Sequence, residues 1–296
     1  MRPFEPHHTS QPRSRILTLA AIGFTSMTVL ISGCSTSAVN RVGKSTEVNY
    51  YPSCYQPVQH LRDTDSNITR SIATGAVLGA VGGALTGALT ADKEDRKRNA
   101  AIGAAGGALV GGAAAYYTSK QQQISDDRQR IGSYSTDISA SASTFDRSIA
   151  YAEASQSCYQ KEFTSLLEKR KSGAIDDTEG RKRLAEIIAG LSESNSLITA
   201  VNGKAGENLS NYTQAYEADL KNVGVERAEV TTAAKTPTKT PAKVPTEAVK
   251  TEQVLQQAEV KQAKSQQVAV AGTNQVNSMC NNPDMGDWAP IPCPNV

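Results

Sequence analysis

The 296-residue chain has few of the residues that build large cores: 4 Phe, 1 Trp and 5% aromatic residues in all. So thin a supply argues against a large globular core and for helices and linkers. Neither sign of charge dominates, with 31 Lys and Arg against 29 Asp and Glu. A protein that holds a phosphate backbone by counterion release needs a basic excess, so no nucleic acid is expected as a partner. Nothing resembling GxSxG, SxxK, a P-loop or HExxH occurs in a suitable context, and no catalytic residue, metal ligand or cofactor is assigned.

What is present begins at the N-terminus. Arg2, Arg13 and Arg15 precede an uncharged run over residues 16–30 that ends in Ile31-Ser32-Gly33-Cys34. A basic start, an apolar stretch of about 15 residues and small residues before a cut make a secretory signal, short for a membrane span. The stretch closely resembles the lipobox of bacterial lipoproteins. That resemblance implies cleavage before Cys34, covalent acyl chains on Cys34 and, with Ser35 rather than Asp following, the outer membrane. Several chains anchor stably because each buried CH₂ contributes about 0.8 kcal/mol, whereas one chain holds only marginally. Loss of residues 1–33 leaves 28 basic and 28 acidic groups and His60 as the one histidine. Enzymes built on a histidine pair or a multi-histidine metal site are thereby nearly excluded, while a carboxylate-only or Ser–Lys enzyme is not.

Two Gly/Ala-rich segments follow, at 71–90 and 99–118. As helices each would be about 30 Å long, the thickness of a bilayer's hydrocarbon. Gly75, Gly79, Gly83 and Gly87 recur every four residues, as do Gly103, Gly107, Gly111 and Ala115, which places them on one helical face. Each glycine costs roughly 1 kcal/mol against Ala in a helix interior, so close helix–helix approach must offset the loss. Residues 91–98 form a charged turn, and Tyr116 and Tyr117 sit where an interfacial aromatic belt would lie. About 50 residues here resemble the glycine-zipper two-helix domain of outer-membrane lipoproteins, which implies membrane insertion or a part in envelope integrity. A flexible linker, or a hairpin packed against protein in the periplasm, are the alternatives.

From residue 119 the pattern turns polar and helical. Ile124, Ile131, Ile138, Phe145 and Ala152 repeat every seven residues, with Tyr134, Ala142 and Ile149 between them, a narrow apolar seam. Ser172-Gly173 reads as a stop and Asp176 with Glu179 as a variant capping box. A second seam runs through Leu184, Ile187, Ile188, Leu191, Ile198 and Val201, then past a weakness at Gly203 and Gly206 to Leu209, Tyr212, Tyr216 and Leu220. Two long helices with a short turn predict an antiparallel coiled-coil hairpin, with self-association or an envelope protein as partner. Three Lys-x-Pro tetrads ending at Pro237, Pro241 and Pro245 predict an extended polyproline spacer. As a polycation it could also touch peptidoglycan. A short helix over 252–267 is expected beyond it, with Val254, Leu255 and Val260 too few to build a domain.

Cys54, Cys158, Cys280 and Cys293 remain once Cys34 is acylated, and an oxidising compartment favours pairing in one of three connectivities. Cys280 and Cys293 flank a Pro-rich loop that a local bond would close, with Trp288 free as a docking contact. Cys54 and Cys158 lie on either side of the zipper. Their pairing is strained by reach, about 60 Å of helix against about 55 Å of extended chain, and calls for a fold-back near Gly132.

The reading is thus a mainly α lipoprotein in six parts: signal peptide (1–33), lipidated tether (34–70), zipper hairpin (71–118), coiled-coil hairpin (119–228), Pro/Lys/Thr-rich linker (229–250), and a short helix with a Cys-closed tail (251–296). Membrane lipid is its first partner and a structural or assembly role in the envelope its expected work. A pore subunit built from zipper helices is the rival.

Overall fold

A computed structural model describes residues 45–82, 112–236 and 241–288, with side chains from 70 to 82 excepted. The signal peptide, Cys34, Gly83, Gly87, Gly103, Gly107, Gly111, the charged turn and Cys293 lie outside the described residues. The described chain is mainly α: α1 (Pro52–Gly82), α2 (Gly112–Gln123), α3 (Asp127–Lys171), α4 (Asp177–Asn222), α5 (Arg227–Lys235), α6 (Thr246–Cys280) and a final 3₁₀ turn (Pro283–Trp288).

The long helices have chemical starts and stops. Asp126 accepts from the Gln129 N–H at the head of α3, and Lys169, Arg170 and Lys171 occupy its last turn, where cations complement the helix dipole. The chain leaves α3 through Gly173, at φ +66°, a left-handed conformation that glycine adopts without cost. Asp176 then caps α4 by accepting from the Glu179 N–H. Only this half of the capping box forms, because the Glu179 carboxylate turns to the Tyr50 hydroxyl and to Arg183.

Along α3 the predicted seam is buried at Ile131, Ile138, Phe145 and Ala152 and continues through Tyr159 and Leu166. A second row lies beside it, Tyr134, Ser141, Ser148 and Ser155, also buried. Tyr134 of this row turns to Asp219 and Tyr216 of α4, and α3 packs in addition against a third long helix that the expected two-helix hairpin did not contain. α6 runs parallel to α3, with the Thr251 hydroxyl on the Ile131 carbonyl at 3.0 Å and the Gln156 amide on the Val268 carbonyl at 3.0 Å. It runs antiparallel to α4, with the Tyr216 hydroxyl on the Ala248 carbonyl at 3.0 Å. The helix expected over 252–267 is therefore 35 residues long and an integral wall. Its inward face is Ala248, Thr251, Leu255, Ala258, Ser265, Ala269, Gly272, Val276 and Met279. These follow the three–four spacing of a helical seam in residues too small or polar to register as apolar, and their size lets the helices approach closely.

Three further expectations change. The spacer reading fails on both sides of 237–240: α5 occupies 227–235, and Pro241 accepts from the Val244 N–H at 2.9 Å while Val244 is buried. Pro245 precedes α6 at φ −61° and ψ 140°, a position that needs no N–H and tolerates the fixed proline φ. The weakness at Gly203 and Gly206 is spanned by continuous helix. The fold-back lies at residues 124–126, between α2 and α3, and Gly132 is inside α3.

The fourth wall of the bundle is split. α1 covers the half near the α3–α4 turn and α2 covers the other half. Both run antiparallel to α3: Cys54 joins Cys158 and His60 stacks on Tyr151 at 4.9 Å, while Lys120 meets Asp137 at 2.7 Å. Two apolar clusters follow the same division. One gathers Tyr55, Val58 and Leu61 with Tyr159, Leu191 and Val276, the other Tyr117 with Tyr134, Tyr216, Val230 and Leu255.

Candidate functional site

The two zipper segments leave and rejoin the bundle at the end of α1 and the start of α2. α1 reaches Asp65 and Thr69, both bonded to Lys204 of α4, the Asp65 pair at 2.8 Å. α2 begins at Gly112, where a side chain would collide with Asn211 of α4. Lys204 and Asn211 are seven positions apart on one helix, about 10 Å at 1.5 Å per residue. Two neighbouring levels of one helical wall thus bracket residues 70–111 of the sequence. Gly75 and Gly79 lie within the unbroken helix of α1, and Ala115 is half-buried in α2.

The α1 root is held mainly by carboxylates of α4. Glu186 accepts from the backbone N–H groups of Asn49, Tyr50 and Tyr51, at 2.9, 2.9 and 2.8 Å. Those donors have no helical partner at the head of α1, so a buried carboxylate satisfies three of them at once. One heptad on, Glu193 accepts from Thr46, from the Tyr55 hydroxyl at 3.1 Å and from Arg62 at 2.5 Å. Residues 46–51 consequently run back along α1, so the chain arrives from the direction in which α1 departs. The Cys54–Cys158 disulfide closes this root, one of the pairings the sequence left open. Cys280 is also disulfide-bonded, to a residue outside those described.

The α2 root centres on Asp219, which is fully buried. It accepts from Arg130 at 2.7 and 2.9 Å, from the Tyr134 hydroxyl at 2.7 Å and from the Gln121 amide at 2.7 Å. Burial, and then the Asp219 charge, pushes the Tyr134 hydroxyl far above its ordinary range, so it remains a donor at any physiological pH. Burial and Asp137 do the same to Tyr116, whose hydroxyl bonds Asp137. Tyr117 is buried with its hydroxyl accepting from Asn222 at 2.9 Å, and Tyr116 packs on Tyr212 at 4.6 Å. The two tyrosines therefore belong to the bundle and not to an interfacial belt. The zipper hairpin expected to end at residue 118 yields 112–118 to the fourth wall.

At the far end the C-terminal turn seals the α3–α4 tip. Trp288, expected to be exposed, is 3% exposed and packs on Gly180, where any side chain would collide with the indole. Its Nε1–H donates to Asp177 at 2.8 Å, and the Arg170 guanidinium lies 5.1 Å from the ring. Asp287 pairs with Arg181 at 2.6 Å and Arg170 at 3.1 Å. Desolvation would raise its carboxyl, but the two arginines outweigh that and hold it below the ordinary carboxylate range. Sequence reasoning missed Glu186, Glu193, Arg130 and Asp219. The one available signal was the seven-residue interval between the two glutamates, which reads equally well as a solvated face.

Among the described residues no helix is long and apolar enough to cross a membrane. Neither the curated proteins nor the solved structures yield a match. A family model described as a glycine zipper, of outer-membrane type, matches residues 73–122, the tail of α1, the residues that follow it and nearly all of α2. The chain thus carries a glycine-zipper segment of the outer-membrane kind, held at both ends by a helical bundle.

Proposed function

We propose that this is a non-enzymatic outer-membrane lipoprotein, acylated at Cys34, with a structural or assembly role in the cell envelope. Its bundle is a periplasmic body that presents the zipper to membrane lipid and to other zippers. The observation that carries this reading is the split wall: α1 and α2 occupy one position in the bundle, and both roots are fixed by buried polar networks. A helix rich in glycine loses stability in water and regains it only against a closely fitting surface. Fixing both ends of the zipper segment lowers the entropy of presenting that surface.

The test is membrane partition of the wild type and Cys34→Ala, with acyl labelling and an alkaline carbonate wash. The expected result is loss of label with retention in the washed outer membrane, through the zipper. A Cys34→Ala protein that becomes soluble would make the acyl chains the sole anchor and the zipper a protein-packing surface. A wild type without label would remove the lipoprotein reading altogether.

A further inference from the structure

α1 differs from the rest of the bundle in its covalent connections. The α2 root joins α3 through three residues, 124–126, and α3, α4, α5 and α6 follow one another along the chain. α1 has no such neighbour. Between its docked portion and the next bundle residue, Gly112, lies the whole zipper segment of the sequence. Docking a segment across so long a connection carries a loop-closure cost, and a covalent bridge across such a loop removes it. One bridge does this, between residues 104 positions apart: Cys54, in the first turn of α1, and Cys158 on α3. Because α1 is helical without a break from Pro52 to Gly82, whatever fixes its first turns also fixes the direction of the first zipper leg.

We propose that the Cys54–Cys158 bond is a redox-set clasp for the zipper: before oxidation α1 is held by its non-covalent contacts alone and opens readily, and afterwards it is locked covalently to α3 as well. Cys54 is fully buried while Cys158 is partly exposed, which gives the order of the reaction. The Cys158 thiolate attacks the disulfide of a protein oxidant of the dithiol–disulfide class and releases one of its thiols. The Cys54 thiolate then attacks the Cys158 sulfur in the mixed disulfide, which forms the clasp and releases the second thiol. Two electrons and two protons pass to the oxidant, leaving it as the dithiol.

The test is hydrogen–deuterium exchange on the full chain in detergent micelles, so that its outcome is separate from where the zipper inserts. Three samples are compared: oxidised wild type, wild type reduced by dithiothreitol with thiol alkylation as the check, and the Cys54→Ala/Cys158→Ala double variant. Amides of residues 52–69 should exchange at least tenfold faster in the double variant, and in the wild type wherever alkylation shows reduction, while α3, α4 and α6 keep their protection. Unchanged protection of α1 would overturn the proposal. Loss of protection in all four helices would also overturn it, because the bond would then hold the body and not the leg.

Discussion

Trp288 is the single tryptophan of the chain and is buried on Gly180, so its fluorescence reports docking of the C-terminal turn. Gly180→Val should push the indole off the tip, shifting its emission to the red and lowering stability by about 1–3 kcal/mol, as overpacking does. The pH dependence follows from Asp287, whose folded carboxyl lies below its unfolded value. Its contribution is present above the ordinary carboxylate range and is lost only as pH falls through the lowered folded value. Emission should therefore hold steady to about pH 4 and change below it. Arg181→Gln, which removes one cation from Asp287, should move that change upward. At the other end of the bundle Asp219→Ala removes the buried carboxylate partner of Arg130, which keeps only the half-exposed Asp127 as an ionic partner, and leaves the Tyr134 hydroxyl without its acceptor. The expected loss is about 3–5 kcal/mol, read as a lower denaturant midpoint. Exposed pairs such as Lys171–Asp284 should cost about 0–1 kcal/mol by the same measurement.

At the scale of elements, α6 is the test of whether small and polar side chains can make a wall. Ending the chain at Thr236 removes Leu255, Val276 and Met279 from both apolar clusters. The truncated protein should lose its cooperative thermal transition even though α3 and α4 are intact in sequence. The seams of α3 and α4 were legible because Ile, Leu and Phe recur at heptad spacing and because Ser172, Gly173 and Asp176 mark the turn. α6 was legible only as a short helix over 252–267, since most of its buried face reads Ala, Thr, Ser and Gly, which an apolar count passes over. The serine row of α3 escaped notice for the same reason. Tyr116 and Tyr117 were visible, but a tyrosine beside a glycine-rich segment suits a membrane interface and a buried hydrogen-bonded core equally well. Which one holds depends on Asp137 and Asn222, distant in sequence.

At the scale of the molecule, the described residues form a four-walled bundle, one wall of which is shared by α1 and α2 with the zipper segment between them in sequence. In the chain-entropy view, the disulfide that closes the loop around that segment contributes about 4.7 kcal/mol for a loop of roughly 100 residues. The central claim, that the zipper is inserted into an otherwise complete bundle, is tested most directly by removing it. Residues 70–111 would be replaced by about six helix-forming residues, enough to cover the 10 Å or so between the levels of Lys204 and Asn211, in a Cys34→Ala background. Circular dichroism, thermal melting and Trp288 emission would be measured on the product. The account predicts a soluble, cooperatively melting helical protein with the Cys54–Cys158 bond formed and Trp288 still buried. An aggregated or unfolded product would contradict it, showing that the bundle depends on the zipper for its own fold.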